Sequence, residues 1–287
     1  VKQRINLSQK GSNNTDVLLM TATPIPRTLI LTNYGDMNIS TIQNKPFLND
    51  NIETLIKPLD KIDDVINFVN NKIKDGDQIY WVCPIIEESE KLRLTAATKR
   101  YDFLKNKLNA KTGLLHGSIK KDDKEKIMND FISGNLKCII STTVIEVGID
   151  NPKANTIIIE NAERFGLAQL HQLRGRVGRS GSKAHCVLIY SSSISETGKK
   201  RLKIMKDSND GFYISEEDLK LRGFGDIIGY KQSGEKDFII ADPLYHSHLF
   251  EIAKKNIDNL GEKSFKNFDT LLKIFKKDKV LNIIDTG

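Results

Sequence analysis

Four polar side chains recur at helical spacing in the middle of the chain: Gln169, Gln172, Arg176 and Arg179. Successive residues of a helix turn by about 100°, so these four would share one face. An arginine stays charged and donates two parallel hydrogen bonds, which suits the oxygens of a phosphate group. The spacing therefore predicts a phosphate-binding face. A basic helix face that is simply solvated is the alternative interpretation.

Apolar residues and glycines on the same stretch are expected to fix its position. Leu170, Leu173 and Val177 form a neighbouring stripe, which we expect to be buried. Gly175 and Gly178 share a third face, although a glycine lowers helix propensity by about 1 kcal/mol. Glycine is tolerated at such a cost where another backbone or a ligand comes close.

The elements that must position this stretch alternate along the chain. An extended segment is predicted near residues 52–58. Strands are predicted at residues 78–83, 114–115, 138–141, 156–160 and 184–190, and helices at residues 62–73, 95–108, 122–131, 197–206 and 215–221. Strands that are apolar on both faces and alternate with helices predict an α/β fold with a parallel sheet covered on both sides. Ligands bind beyond the carboxyl ends of such strands. We therefore expect sites in the loops that carry Thr21, His116, Thr142 and Asp150.

Both ends of the chain are expected to differ from this core. Residues 17–20 are predicted to form a buried strand, residues 36–42 an extended segment and residues 43–51 a linker. Residues 241–287 are predicted to be mostly lysine-rich amphipathic helix. The expected buried positions of that helix are Leu249, Ile252, Ile257, Phe265, Leu271, Leu272 and Ile274.

Composition and charge limit the class of protein. The chain has 287 residues, enough for about two domains. Its 39% hydrophobic and 28% charged residues are typical of a soluble globular protein, and it has neither a signal-peptide pattern nor a membrane-spanning apolar run. A net charge of +7 and a pI near 9.1 fit a polyanionic partner. Cys83, Cys138 and Cys186 lie in apolar runs without CxxC spacing, so we expect buried free thiols and no metal site.

Three segments together resemble motifs III, V and VI of the superfamily 2 helicases, in the form shared by the RecG, PriA and Mfd families. They are residues 21–29 (TATPIPRTL), 141–150 (STTVIEVGID) and 169–179 (QLHQLRGRVGR). Residues 80–89 are similar to motif IV of RecG. Residues 218–223 (DLKLRG) and 232–234 (QSG) resemble the translocation segment of RecG and Mfd. The match runs in order over nearly the whole chain, which therefore resembles the C-terminal portion of the RecG family.

The resemblance implies a fold and domain boundaries. The fold would be a RecA-like (P-loop NTPase-type) parallel sheet with helices on both faces, followed by a helical hairpin and C-terminal helices. Residues 1–45 would be the remnant of a first RecA-like domain, and residues 46–193 the second such domain. Residues 194–240 would form the translocation hairpin and loop, and residues 241–287 a C-terminal helical segment.

The resemblance also implies site residues. It assigns contact with the γ-phosphate of ATP to Arg176, Arg179 and Gln172; ATP binding or coupling to Thr21, Thr23, Gly148 and Asp150; DNA phosphates to His116, Thr142 and Thr143; and translocation to Arg201, Arg222 and Gln232. From the residues alone, a hydroxyl-capped turn before Pro24 is the better interpretation of Thr21 and Thr23. Gly148 and Asp150 equally fit a strand-ending turn, and a histidine satisfied within a turn fits His116 at least as well. Among five nearby glycines, Arg222 is expected to be a buried guanidinium that binds carbonyl groups. The segment departs from the family at Phe224, where proline is usual, and at Lys231, where arginine is usual.

Missing motifs limit the predicted activity. The sequence contains no GxxxxGK[ST] phosphate loop and no Asp-Glu-x-His box, which hold the phosphates and Mg²⁺ in related enzymes. Since the chain also begins at Val1, we interpret it as the C-terminal part of a longer protein that is inactive in ATP hydrolysis on its own. The resemblance implies an ATP-dependent translocase that remodels branched DNA in recombination and repair, with ATP and Mg²⁺ bound mainly by an N-terminal half. It further implies a bacterial, cytoplasmic, nucleoid-associated monomer. The alternative is a non-catalytic DNA-binding remnant of a split gene, whereas a dehydrogenase is disfavoured because no GxGxxG follows a strand.

Overall fold

A computed structural model describes residues 52–83, 90–142, 151–222 and 246–258, together with single positions at 18, 20, 21, 24, 40–42, 270, 273 and 274. The chain divides into two units. One consists of residues 39–221 and the other of residues 1–38 with 222–287.

The unit of residues 39–221 is built on a sheet of six parallel strands. They are β1 (Ile52–Pro58), β2 (Gln78–Val82), β3 (Thr112–Leu115), β4 (Cys138–Ser141), β5 (Ala154–Ile159) and β6 (Ala184–Tyr190). Their order across the sheet is β1-β6-β5-β2-β4-β3, so β1 and β3 form its two edges. In a parallel sheet each connection must cross over, usually through a helix.

Seven helices follow or connect these strands in the described part of the chain. They are α1 (Ile62–Lys74), α2 (Glu90–Lys107), α3 (Lys121–Ser133), α4 (Leu167–Arg174), α5 (Glu196–Asp207), α6 (Gly211–Arg222) and α7 (Ser247–Asp258). Short 3-10 turns occupy Leu59–Lys61 and Ala162–Arg164. None of the described helices combines the length and apolarity that a membrane crossing requires.

Strand β2 shows why the sheet is covered on both faces. All five of its residues are buried, and alternate side chains point to opposite faces of a strand. Ile79 and Trp81 pack in the cluster that includes Val69 of α1. Tyr80 and Val82 pack in the cluster on the other face, which contains buried residues of α3, α4 and α5.

Most predicted elements of this unit are confirmed, and so is its α/β class. The predicted strands at 138–141 and 184–190 have the expected bounds, and the extended segment predicted near 52–58 is a strand. Two helices are longer than predicted, since α2 begins at Glu90 and α6 at Gly211. The three cysteines are buried and unpaired, as expected. Burial raises the pKa of the Cys186 thiol to about 12, so the thiol stays protonated at neutral pH.

The predictions for the chain ends are partly wrong. Leu18 and Met20 belong to no strand and are each 80% exposed, and none of the described strands pairs with that run. Residues 40–42 lie outside any strand, and the linker at 43–51 falls outside the described residues. In the helical C-terminal region Leu249, Ile252 and Ile274 are exposed rather than buried. Amphipathic spacing predicts a helix but does not show that another element covers its apolar face.

Candidate functional site

Helix α4 holds the first half of the predicted phosphate-binding stretch. Leu170, Leu173 and Val177 have no exposed surface, which confirms the predicted apolar stripe. The amide N–H of Gly166 donates to Oε1 of Gln169 at 3.2 Å, so this side chain caps the start of the helix. Gln169 is therefore engaged at the opposite end of α4 from the arginines, contrary to its expected place beside them.

The chain does not stay helical to Arg179. Helix α4 ends at Arg174, and the amides of Arg176 and Val177 each bind the carbonyl three residues earlier. Gly178 then takes a φ of +77°, which turns the backbone out of the helix. Nε of Arg179 donates to the carbonyl of Gly175 at 3.1 Å, so this hydrogen bond holds the Nε end of the guanidinium group against the turn. We call residues 174–179 the arginine turn.

The two glycines of the arginine turn differ in the space that surrounds them. A β-carbon on Gly178 would lie 3.1 Å from Cβ of Ala184 and 3.2 Å from Cγ1 of Ile52, which are the first residues of β6 and β1. A β-carbon on Gly175 would make only ordinary contacts with carbonyls of its own helix. The close approach predicted from the glycines is thus a packing contact with two strands, and it fixes the turn beside the amino ends of β1 and β6.

Arg174 is a buried residue that the sequence analysis did not single out. It is 2% exposed, and its Nη1 donates to the carbonyls of Met205 at 2.6 Å and Ser208 at 2.9 Å. The same nitrogen lies 3.4 Å from Oγ1 of Thr54, and Nη2 lies 3.4 Å from Nδ1 of His171. Burial lowers the pKa of this guanidinium, and the carbonyl oxygens at the end of α5 offset that cost for the charged form.

Arg201 on α5 binds carbonyl groups that lie just before α4. Its Nη1 donates to the carbonyls of Glu163 at 3.2 Å and Phe165 at 3.0 Å, just before α4 begins. Arg222 is the last residue of α6 and is exposed, so the expected buried guanidinium is wrong. A long side chain at a helix end can extend past the packed face into solvent.

His116 and Thr142 lie together at the carboxyl ends of neighbouring strands. His116 follows β3 and Thr142 follows β4, and the amide of Thr142 donates to the carbonyl of Leu115 at 3.2 Å. Burial, and then the charge of Lys124, lower the pKa of His116, so the ring is neutral at pH 7. Thr142 is 6% exposed and offers a ligand little surface.

The structure separates these residues from the arginine turn. His116 stands at the carboxyl end of the edge strand β3, whereas Gly178 packs against the amino ends of β6 and the opposite edge strand β1. The predicted site residues therefore lie on two separate surfaces and do not line one pocket. Thr21 is exposed and outside any regular element. The remaining predicted positions fall outside the described residues: Thr23, Thr143, Gly148, Asp150 and Gln232.

A buried ion pair at the carboxyl end of β5 was also missed. Glu160 accepts a hydrogen bond from the indole of Trp81 at 2.5 Å and pairs with Arg100 at 2.9 Å. Burial raises the pKa of Glu160, while Arg100 and the indole lower it. The partners lie 60 and 79 positions away, and no local pattern in a sequence joins them.

Known proteins that are similar to this chain are helicases. Residues 60–181 match the helicase conserved C-terminal domain, and residues 208–278 match domain 3, C-terminal, of ATP-dependent DNA helicase RecG. The chain is 45% identical over 262 residues to the ATP-dependent DNA helicase RecG of Bacillus subtilis, covering 91% of this chain and 38% of that protein. It is 46% identical over 249 residues to RecG of Escherichia coli K12, covering 85% and 36%. A structure of RecG bound to a three-way DNA junction superposes with a TM-score of 0.62 and 37% identity, covering 84% of this chain and 32% of that one.

The six-stranded parallel sheet with its arginine turn is thus the RecA-like α/β domain found at the C-terminal side of superfamily 2 helicases. The chain matches the C-terminal portion of the RecG helicases over most of its own length. It spans less than two fifths of the length of these relatives.

Proposed function

We propose that this chain is the C-terminal half of an ATP-driven double-stranded DNA translocase that remodels branched DNA, such as forks and junctions. The observation that carries the proposal is the arginine turn, a rigid element that presents two arginines in a chain that matches the RecG helicases. The relatives that support it are named helicases and match across most of the chain, which does not favour a non-catalytic remnant.

Arg176 and Arg179 act on the γ-phosphate of ATP in this proposal. Both are half-buried, and the backbone of the turn is fixed by buried Val177 and by Gly178, while Nε of Arg179 is held by the carbonyl of Gly175 before a nucleotide arrives. Such preorganised charge is effective where negative charge develops in a transition state. In related phosphoryl transfer an arginine of this kind contributes about 10³-fold or more to the rate. Gln172, half-buried one turn earlier on α4, helps to sense the phosphate.

ATP would be shared between two halves of the protein. The guanidinium donors of the arginine turn fit a phosphate but cannot ligate Mg²⁺, and no group of three metal-ligating side chains occurs in the part of the chain that the structure describes. We assign Mg²⁺ and most nucleotide contacts to an N-terminal nucleotide-binding half. Bound Mg²⁺ would neutralise charge on the phosphates. This chain contributes the arginines, together with Thr21, Thr23, Gly148 and Asp150 on the coupling side.

DNA contacts are assigned to the other end of the sheet. His116, Thr142 and Thr143 would bind phosphate oxygens of the duplex, and Thr142 would contribute least because it is 6% exposed. Such contacts fix position but carry no sequence information. Arg201, Arg222 and Gln232 would convert closure of the two halves into a step along DNA. Residues 1–45 would complete the first RecA-like domain, 46–193 form the second, 194–240 form the translocation segment and 241–287 the C-terminal segment. We further propose that the protein acts as a monomer.

A reconstituted motor tests the proposal. We define it as this chain combined with the N-terminal nucleotide-binding half of a full-length relative, such as RecG of Bacillus subtilis. The isolated chain is expected to show no DNA-stimulated ATP hydrolysis, and the reconstituted motor is expected to show it. Arg179→Ala should lower that rate by about 10³-fold. The matched control is Arg164→Ala, since Arg164 is an exposed arginine ten residues before Arg174.

Three results decide the outcome. Loss of activity with Arg179→Ala but not with Arg164→Ala supports the assignment of the arginine turn. ATP hydrolysis that survives Arg179→Ala contradicts the γ-phosphate role. A wild-type reconstituted motor without DNA-stimulated hydrolysis contradicts the proposed function as a whole.

A further inference from the structure

The carboxyl ends of the neighbouring strands β3, β4, β2 and β5 are joined by one row of residues. The first residue after each of β4, β2 and β5 donates its amide N–H to the last residue of the next strand in the sheet, at 3.2, 2.7 and 2.9 Å. The members of this carboxyl-end row are His116, Thr142, Cys83 and Glu160. The row therefore connects the residues assigned to DNA phosphates with Glu160 in the middle of the sheet.

Glu160 places a carboxylate in the carboxyl-end row, where its charge would repel a DNA phosphate. Arg100 of α2 covers it, since Nη2 of Arg100 lies 2.9 Å from Oε2 of Glu160. The Glu160 side chain is 4% exposed, whereas the Arg100 side chain is 28% exposed. A ligand that approaches this part of the row therefore meets the guanidinium group and not the carboxylate.

The guanidinium group of Arg100 is held in place before any ligand arrives. Its Cζ lies 5.4 Å from the ring centroid of Phe103, one turn further along α2, and Glu160 holds one terminal nitrogen. An arginine has five N–H donors, so donors remain for a phosphate. A guanidinium that is already oriented loses less conformational entropy when it binds.

We propose that Arg100 binds a phosphate of duplex DNA, and that Glu160 is the residue that positions its guanidinium group. This inference rests on the proposed function, and it adds a contact outside the motif-like segments, since Arg100 lies between residues 80–89 and 141–150. Neighbouring strands lie about 4.8 Å apart, so His116 and Glu160, three strands apart, are separated by about 14 Å. Duplex DNA covers that distance in about four base pairs. Arg100 therefore binds a different phosphate from His116.

The salt dependence of DNA binding tests this contact, because each bound phosphate contributes about 0.9 to the slope of log K against log salt concentration. Fluorescence anisotropy of a labelled duplex at pH 8 gives the slope for this chain. The substitutions are made in a Glu160→Gln background, so that no buried carboxylate loses its cation. In that background Arg100→Gln should lower the slope by about 0.9 and the affinity in 0.1 M salt by about eightfold.

The matched control is the ion pair of Lys183 with Glu53, in which Nζ and Oε2 are 3.0 Å apart, at the amino ends of β6 and β1. Lys183→Gln in a Glu53→Gln background removes the same two charges at the opposite end of the sheet and should leave the slope unchanged. A fall with Arg100→Gln alone supports the inference. A slope that Arg100→Gln leaves unchanged overturns it, and so does an equal fall in the control.

Urea unfolding shows whether each variant is folded. If the Arg100→Gln variant does not fold, Glu160→Gln alone decides, because removal of the carboxylate beside the bound phosphate should raise the affinity about threefold, while Glu53→Gln should not. An affinity that is unchanged or lower with Glu160→Gln overturns the inference. A wild-type chain that binds no duplex DNA overturns the DNA contacts of the proposed function as well, whereas wild-type binding with an unchanged slope for Arg100→Gln overturns this inference alone.

Discussion

Gly178 lies directly against Ile52, although 126 residues separate them in the chain. A β-carbon on Gly178 would come within 3.2 Å of Cγ1 of Ile52, and the backbone there has a φ of +77°. This contact places the arginine turn on the first residue of β1. Glycine is thus required at position 178 for two reasons: the backbone there is left-handed, and no space is left for a β-carbon.

Gly178→Ala is predicted to destabilise the chain by about 2–4 kcal/mol, from about 1–2 kcal/mol of left-handed strain plus overpacking. Gly181 is the matched control. It has a φ of +75°, but a β-carbon on it would meet nothing within 4 Å, so Gly181→Ala carries the strain alone. Urea unfolding of the two variants measures the difference. Equal losses of stability would contradict the packing role of Gly178.

The fold was largely predictable because its signals are local. Strands such as Cys138–Ser141 are continuous apolar runs, and α1 repeats apolar residues at helical spacing. Motif order then indicated the family. The arginine turn was only half predictable, because the stripe of Leu170 and Leu173 marks the helix but does not show where it ends.

The contacts that fix the site could not be read from the sequence. Arg174 binds residues 31 and 34 positions later, and Thr54 lies 120 positions earlier. A buried arginine and a solvated one look the same in a sequence. The structure shows that Gln169 caps a helix through a local hydrogen bond, and that the arginine turn and His116 belong to opposite edges of the sheet.

Arg100→Ala is predicted to destabilise the chain by about 3 kcal/mol at pH 8, because it leaves the Glu160 carboxylate buried without its cation. The loss should be smaller at pH 5. Burial raises the folded-state pKa of Glu160 above its ordinary value, so the protonated carboxyl favours folding at low pH, and this contribution is lost as the pH rises through the folded-state pKa.

Trp81 provides the measurement, since it is the one tryptophan of the sequence and its indole binds Glu160. Urea unfolding followed by its fluorescence gives the stability at both pH values. In a Glu160→Gln background, Arg100→Ala should cost less and should lose its pH dependence. A cost that is equal in both backgrounds would show that the ion pair is not responsible.

Ser195→Ala is predicted to destabilise α5 by about 1 kcal/mol, the usual loss for a serine N-cap. The Ser195 hydroxyl accepts the amide N–H of Gly198 at 3.1 Å and starts the helix that carries Arg201. Hydrogen exchange should therefore speed up in the first turn of α5. Ser192→Ala, at an exposed serine just before the helix, is the control and should leave exchange unchanged.

His116 gives DNA binding a predicted pH dependence. Burial and Lys124 lower its pKa, so the free chain holds a neutral ring at pH 7. A DNA phosphate beside the ring would favour the charged form and raise the pKa, so binding takes up a proton. Affinity for duplex DNA should then rise as the pH falls from about 8 to about 6, by up to about tenfold per pH unit. Fluorescence anisotropy of a labelled duplex measures this rise.

The variant His116→Asn should bind DNA with a much flatter pH profile, because asparagine can donate to a phosphate but cannot take up the proton. His248→Asn is the matched control, since His248 is an exposed histidine on α7. It should keep the wild-type profile. If His116→Asn retains the full pH dependence, the histidine does not contact the phosphate, and the interpretation of His116 as a residue of the turn after β3 is the correct one.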